Sequence, residues 1–149
     1  MRSVLAASAF IFAAACSGSS VAEPGSIAAT TPITAPMEET SVIAVISYAS
    51  WCGSCKVLDP KVSSVKSANT FEDVEFFALD YSARDADAFF ADAQTLGVKD
   101  TLEARFGDKI KTGMMFLIDT NTGEIVAEIT KDMDEAAIAS AITDASATA

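Results

Sequence analysis

The chain contains no histidine among its 149 residues. That absence excludes His-dependent triads, Cys–His nucleophile pairs, imidazole metal ligands and imidazole proton shuttles. Positive charge is also scarce: 10 Lys+Arg stand against 21 Asp+Glu, a formal net charge of −11. Such a surface repels a phosphate backbone, so nucleic acid is not an expected partner. Cysteine is limited to 3 residues and proline to 4. The one close cysteine pair, Cys52 and Cys55, is followed by Lys56, which rules out covalent haem attachment through Cys-x-x-Cys-His. The most apolar run, VLAASAFIFAAA at 4–15, falls short of the roughly 20 residues that a membrane-spanning helix needs. The length allows one domain with appendages. Chemistry is left to three thiols and many carboxylates.

The N-terminal forty residues read as address and tether. Met1-Arg2 is a short positive start, and the apolar run after it suits the core of a signal peptide. It ends at Ala14-Ala15-Cys16-Ser17, where small residues directly before a Cys resemble the lipobox of bacterial lipoproteins. In that family the Cys is lipidated and becomes the mature N-terminus. By this resemblance, residues 1–16 are a signal peptide with lipobox and Cys16 is the lipidation site. Ser17 beside it fits outer-membrane sorting in enteric-type bacteria. Ser20-Val21-Ala22 offers an ordinary signal-peptidase site as the alternative. Either route takes the chain out of the cytoplasm. The expectation is an exported, periplasmic protein held to a bacterial membrane by its lipid. Residues 17–40 hold Pro24, Pro32 and Pro36 among Ser, Thr and Ala, with no apolar period, and read as a flexible linker. As a coil it spans about 27 Å.

A single domain is expected over 41–146. SVIAVISY (41–48) is almost wholly apolar and β-branched, the pattern of a strand buried on both faces of a parallel sheet. Leu58, Val62 and Val65 recur at helical spacing in KVLDPKVSSVKS. VEFFALD (74–80) reads as a second buried strand, which completes a βαβ unit. Phe89, Ala93 and Leu96 mark a helix closed by Gly97, and Val98, Leu102 and Phe106 mark another closed by Gly107. MMFLID and EIVAEIT are strands joined by the turn TNTG. Asp132 and Glu135 suggest a capping-box start for a last helix carrying Ile138 and Ile142. The order β-α-β-α-α-β-β-α predicts an α/β fold: a four-stranded mixed sheet flanked by helices on both faces. Asp85, Asp87, Asp92 and Asp100 read as a solvated helix face.

The chemistry concentrates in Trp51-Cys52-Gly53-Ser54-Cys55, placed where a buried strand gives way to a helix. The helix start presents unpaired N–H groups and about half a positive charge, which favour a thiolate at Cys52. Cys55, one turn later, faces inward. The expected geometry is an exposed attacking thiol and a shielded resolving thiol. A closed zinc site needs four ligands, and no histidine with only two cysteines besides Cys16 cannot supply them from N and S. A structural disulfide remains an alternative for an exported pair, although closing so short a loop restrains the unfolded chain little.

The segment ISYASWCGSCKVLDP resembles the active-site segment of thioredoxins, an apolar strand followed by WCGPCK with a proline five residues beyond the second cysteine, here Pro60. FFALDYS is similar to the family's central strand, and MMFLIDTNTGEIVAEI to its closing hairpin. The resemblance implies a thioredoxin-like fold and a thiol–disulfide oxidoreductase. In it Cys52 is the nucleophile, Cys55 the resolving thiol, and Trp51, Gly53, Ser54, Thr112 and Gly113 form the substrate groove. No cofactor and no metal site are implied. The implied partners are protein or small-molecule thiols and disulfides, with a membrane electron donor or acceptor and membrane contact through the anchor.

Four departures from the family pattern stand out. Ser54 replaces the usual proline between the cysteines. Ile46 occupies the place of a buried Asp that accepts the resolving thiol's proton, and Ala78 that of its accompanying Lys. No proline remains for the family's cis-Pro loop, where Thr112 or Gly113 falls. Residues 82–111 are longer than in a minimal member. The lost proline and the neighbouring Met114 and Met115, soft Cu(I) ligands, keep open a copper-handling module, and a redox-silent binding module is the other alternative.

Overall fold

The computed structural model describes residues 40–149. The signal peptide and lipobox at 1–16, with Cys16, and the linker of 17–40 apart from Thr40 lie outside the described residues. Eight elements follow in order: β1 Val42–Tyr48, α1 Gly53–Ala68, β2 Val74–Asp80, α2 Ala86–Thr95, α3 Lys99–Phe106, β3 Met114–Asp119, β4 Ile125–Thr130 and α4 Glu135–Thr148. The strands form one sheet in the order β2-β1-β3-β4. β1 pairs parallel with β2 and antiparallel with β3, and β3 pairs antiparallel with β4. The expected element order and mixed sheet are both present.

β1 is central, and its side chains alternate between two separate cores. Val42, Ala44 and Ile46 point to one, where Leu58, Val62 and Val65 of α1 meet Ile138 and Ile142 of α4. Ile43 and Val45 point to the other, where Phe89 of α2, Leu102 and Phe106 of α3 and Phe116 of β3 assemble. Helices therefore cover both faces of the sheet. Among the described residues, no helix is long and apolar enough to cross a membrane.

Two expectations need correction. β2 is not a buried strand: it lies at the sheet edge, with only Val74 and Leu79 buried and Ala78 exposed. Its apolar side chains are only partly covered, Val74 and Phe76 against one core and Phe77 and Leu79 against the other, and do not report a central place in the sheet. The cap of α4 is Asp134 rather than Asp132: its carboxylate accepts the Ala137 N–H at 2.8 Å. The acidic quartet behaves as expected. All four Asp are exposed, and Asp85 also caps α2 by accepting the Ala88 N–H at 3.0 Å.

Candidate active site

The site grows from the end of β1. Ala49 is fully buried, and the chain turns there so that the Cys52 N–H donates to the Ala49 carbonyl at 3.0 Å. Cys52 is then the N-cap of α1, and its Sγ accepts the Cys55 N–H at 3.3 Å. The sulfur occupies the place where Ser or Asp oxygens usually cap helices. No acidic side chain lies in the first turn to compete for the helix's positive end.

The two thiols, both free, differ sharply. Burial works against a Cys52 thiolate. Hydrogen bonds from the Cys55 thiol, the Thr112 hydroxyl and the backbone N–H groups of Cys55 and Ser54 outweigh it and hold the Cys52 pKa below the ordinary thiol value. Cys55 is fully buried, and its thiol donates to the Ser47 carbonyl at 3.8 Å. Burial first, then donation to Cys52 and the charges of Cys52 and Asp59, push it up to about 12. One expectation fails here: Cys52 is not an exposed thiol, being only 6% accessible. The Thr112-Gly113 loop closes over it.

That loop is fastened by the Gly113 N–H, which donates to the Ser47 carbonyl at 2.7 Å. The same carbonyl accepts the Cys55 thiol, so one oxygen ties strand, loop and resolving thiol together. Gly113 has φ +83°, and a Cβ there would stand 2.4 Å from Ser54 Cβ and 3.1 Å from Cys52 Sγ. Only glycine allows this approach. No peptide bond among the described residues is cis, so the loop reaches the thiols without the family's cis bond. Gly53 is exposed, with open space around it.

Trp51 is 44% exposed and is held in place by the loop after β2. Its Nε1–H donates to the Ser82 carbonyl at 3.1 Å, and its ring meets Tyr81 edge-on at 6.5 Å. The Arg84 guanidinium lies over the indole at 4.3 Å, on a backbone with φ 59°. Ser82 in turn accepts the Ser50 N–H at 2.8 Å and bonds to Asp80. The start of the longer 82–111 stretch thus forms one wall of the site. Sequence reading did not single out Ser82 or Arg84, because neither residue type carries a signal in a loop.

The structure brings Trp51, Cys52, Gly53, Ser54, Cys55, Thr112 and Gly113 to one place. Met115 lies in the core beneath α1, and Met114 packs against the opposite core. Among the described residues, no cluster of three or more Cys, Asp or Glu side chains is arranged to hold a metal. Asp59, unnoticed in the sequence, sits one turn beyond Cys55. Burial raises its pKa, and its Oδ1 is buried without a hydrogen-bond partner.

Comparison with known proteins gives a match to the family model described as Thioredoxin over residues 34–95. No curated protein matches the chain. Among solved structures, the chain is similar to a mutant thioredoxin from Halobacterium salinarum NRC-1, at 22% identity, covering 74% of this chain and 79% of that one, TM-score 0.46. It is similar to mitochondrial thioredoxin 3 of Saccharomyces cerevisiae in its oxidized form, at 20% identity, 72% and 82% coverage, TM-score 0.44. It is also similar to StoA from Bacillus subtilis, at 17% identity, 69% and 83% coverage, TM-score 0.48.

Proposed function

From the match of residues 34–95 to the Thioredoxin family model and the thioredoxin-like sheet, we propose that the chain is an exported, lipid-anchored thiol–disulfide oxidoreductase working through Cys52 and Cys55. The observation that carries the reading is the opposed pair at the start of α1: one thiol capping the helix with its pKa drawn down, the other fully buried and pushed up to about 12.

The exchange runs in two steps. The Cys52 thiolate attacks one sulfur of a substrate disulfide; the S–S bond breaks, one substrate thiolate leaves, and a mixed disulfide forms. Cys55 then loses its proton and attacks Cys52 Sγ, releasing the second substrate thiolate. Two electrons pass from the pair to the substrate, and the reverse sequence oxidises a dithiol. Trp51, Gly53, Ser54, Thr112 and Gly113 line the place where the substrate chain lies. Protein disulfides and small-molecule disulfides both fit this chemistry, with a membrane donor or acceptor resetting the pair.

Two measurements test the proposal. Cys52→Ser abolishes disulfide reduction, whereas Cys55→Ser accumulates mixed disulfides that a gel without reductant displays; full activity in both variants sinks the redox reading. For export and anchoring, the chain expressed in a bacterium partitions with membranes, and Cys16→Ala moves it to the soluble periplasmic fraction. Wild-type protein found free in the cytoplasm removes the anchored part of the proposal and leaves the exchange chemistry standing.

A further inference from the structure

The second step needs a proton acceptor, because a fully buried thiol must lose its proton before it attacks. Ile46, six residues before Cys52, is itself a core side chain and offers no acceptor. Elsewhere around the thiol one atom stands unexplained. Asp59 Oδ1 is, among the described residues, the single buried side-chain oxygen or nitrogen with no hydrogen-bond partner. A carboxylate oxygen left in that condition is costly. Asp59 follows Cys55 by four residues on α1, and residues four apart share a helix face.

We propose that Asp59 accepts the proton of Cys55 during resolution of the mixed disulfide, and returns it when the reaction runs backward. The inference rests on the exchange reading above. Its balance is simple. The Cys55 S–H bond breaks and an Asp59 O–H bond forms; the Cys55 sulfur pair then makes the Sγ–Sγ bond to Cys52 while the bond from Cys52 to the substrate sulfur breaks. The substrate sulfur leaves with that electron pair.

The electrostatics agree with the placement. Burial alone raises Asp59, with no cation offsetting it, so the carboxylate is poised to hold a proton. Its charge is felt at Cys55 and at Tyr48 of β1, which also senses Asp80 at the end of β2. On its own helix Asp59 is accompanied by Cys52 and Cys55, and by Lys56 three residues before it, whose side chain is exposed. Of the other elements packed on α1, α4 contributes Glu135, bonded to Ser64 further along, and β3 presents Met115. A half-buried carboxylate with one buried, unpartnered oxygen, within the field of a buried thiol, is suited to general-base work.

The test uses the reduced protein and an aromatic disulfide whose thiolate absorbs visible light. Stopped-flow mixing gives a first release as Cys52 attacks and a second as Cys55 resolves. Asp59→Asn leaves the first phase within about twofold and slows the second by at least about tenfold at neutral pH. Raising the pH toward the Cys55 pKa lets hydroxide take over, and the deficit closes. Removing the Asp59 charge also lowers the Cys55 pKa, so a slower step despite a larger thiolate fraction cannot come from a merely electrostatic or packing role. Asp59→Glu, which keeps a carboxylate, retains the wild-type pH profile within about threefold and covers the case in which Asp59→Asn fails to fold. A second phase in Asp59→Asn at the wild-type rate, or a deficit that persists at high pH, overturns the inference. A wild type that gives no second release defeats the exchange reading itself, and this inference with it.

Discussion

The two faces of the sheet are built from different materials. The α1/α4 face is aliphatic at its centre: Val42, Ala44, Leu58, Val62, Ile138 and Ile142 interlock there. The α2/α3 face is aromatic. Phe89 meets Tyr81 at 5.8 Å and Phe106 at 6.0 Å, and Phe106 meets Phe116 at 5.4 Å, all edge-on. Tyr81 continues this chain of rings outward to Trp51. The aliphatic face therefore carries the helix that holds the thiols, while the aromatic face carries the wall beside them. Reactivity and recognition are anchored on opposite faces of the sheet, and the thiols themselves sit in a small third cluster with Ala49 and Tyr48.

The largest test of that division removes one anchor from each core. Phe89→Ala is expected to cost about 3–5 kcal/mol and Leu58→Ala about 2–5 kcal/mol in denaturant unfolding. The functional readouts should part. Phe89→Ala loosens Tyr81 and Trp51, raising KM for a disulfide substrate while the thiol titration stays in place. Leu58→Ala admits water beside Cys55 and lowers its pKa from about 12. If both variants move the same readout by similar amounts, the two cores are not separate supports. A smaller effect is expected from Arg84→Gly. It removes the stack on Trp51, worth about 0.5–1 kcal/mol, and relieves a left-handed backbone at φ 59°. Stability should stay within about 1 kcal/mol of wild type while KM rises about two- to fivefold. An unchanged KM means Arg84 only packs.

Much of this arrangement is written in local pattern. β1 is legible because both its faces are apolar, and the thiol pair is legible because a strand-to-helix junction gives Cys-x-x-Cys a physical setting. What is not legible depends on contacts distant in sequence. β2 carries the same apolar residues as a central strand, and only the sheet order reveals it as an edge. Cys52 reads as exposed because sequence cannot show that Gly113, far along the chain, folds down onto it. Asp132 and Asp134 both suit a cap, and two residues of turn geometry decide between them. Asp59 looks like any acidic residue on the wet side of an amphipathic helix. Its one available signal is the spacing of four from Cys55.

Trp51 is the chain's single tryptophan, and it stands next to the nucleophile with its indole fixed between Ser82, Tyr81 and Arg84. Its fluorescence is therefore a gauge built into the molecule. Every photon emitted by tryptophan comes from the site, with no second indole to dilute it. A change of charge or bonding at Cys52, or a substrate laid against the indole, registers in light without any label attached.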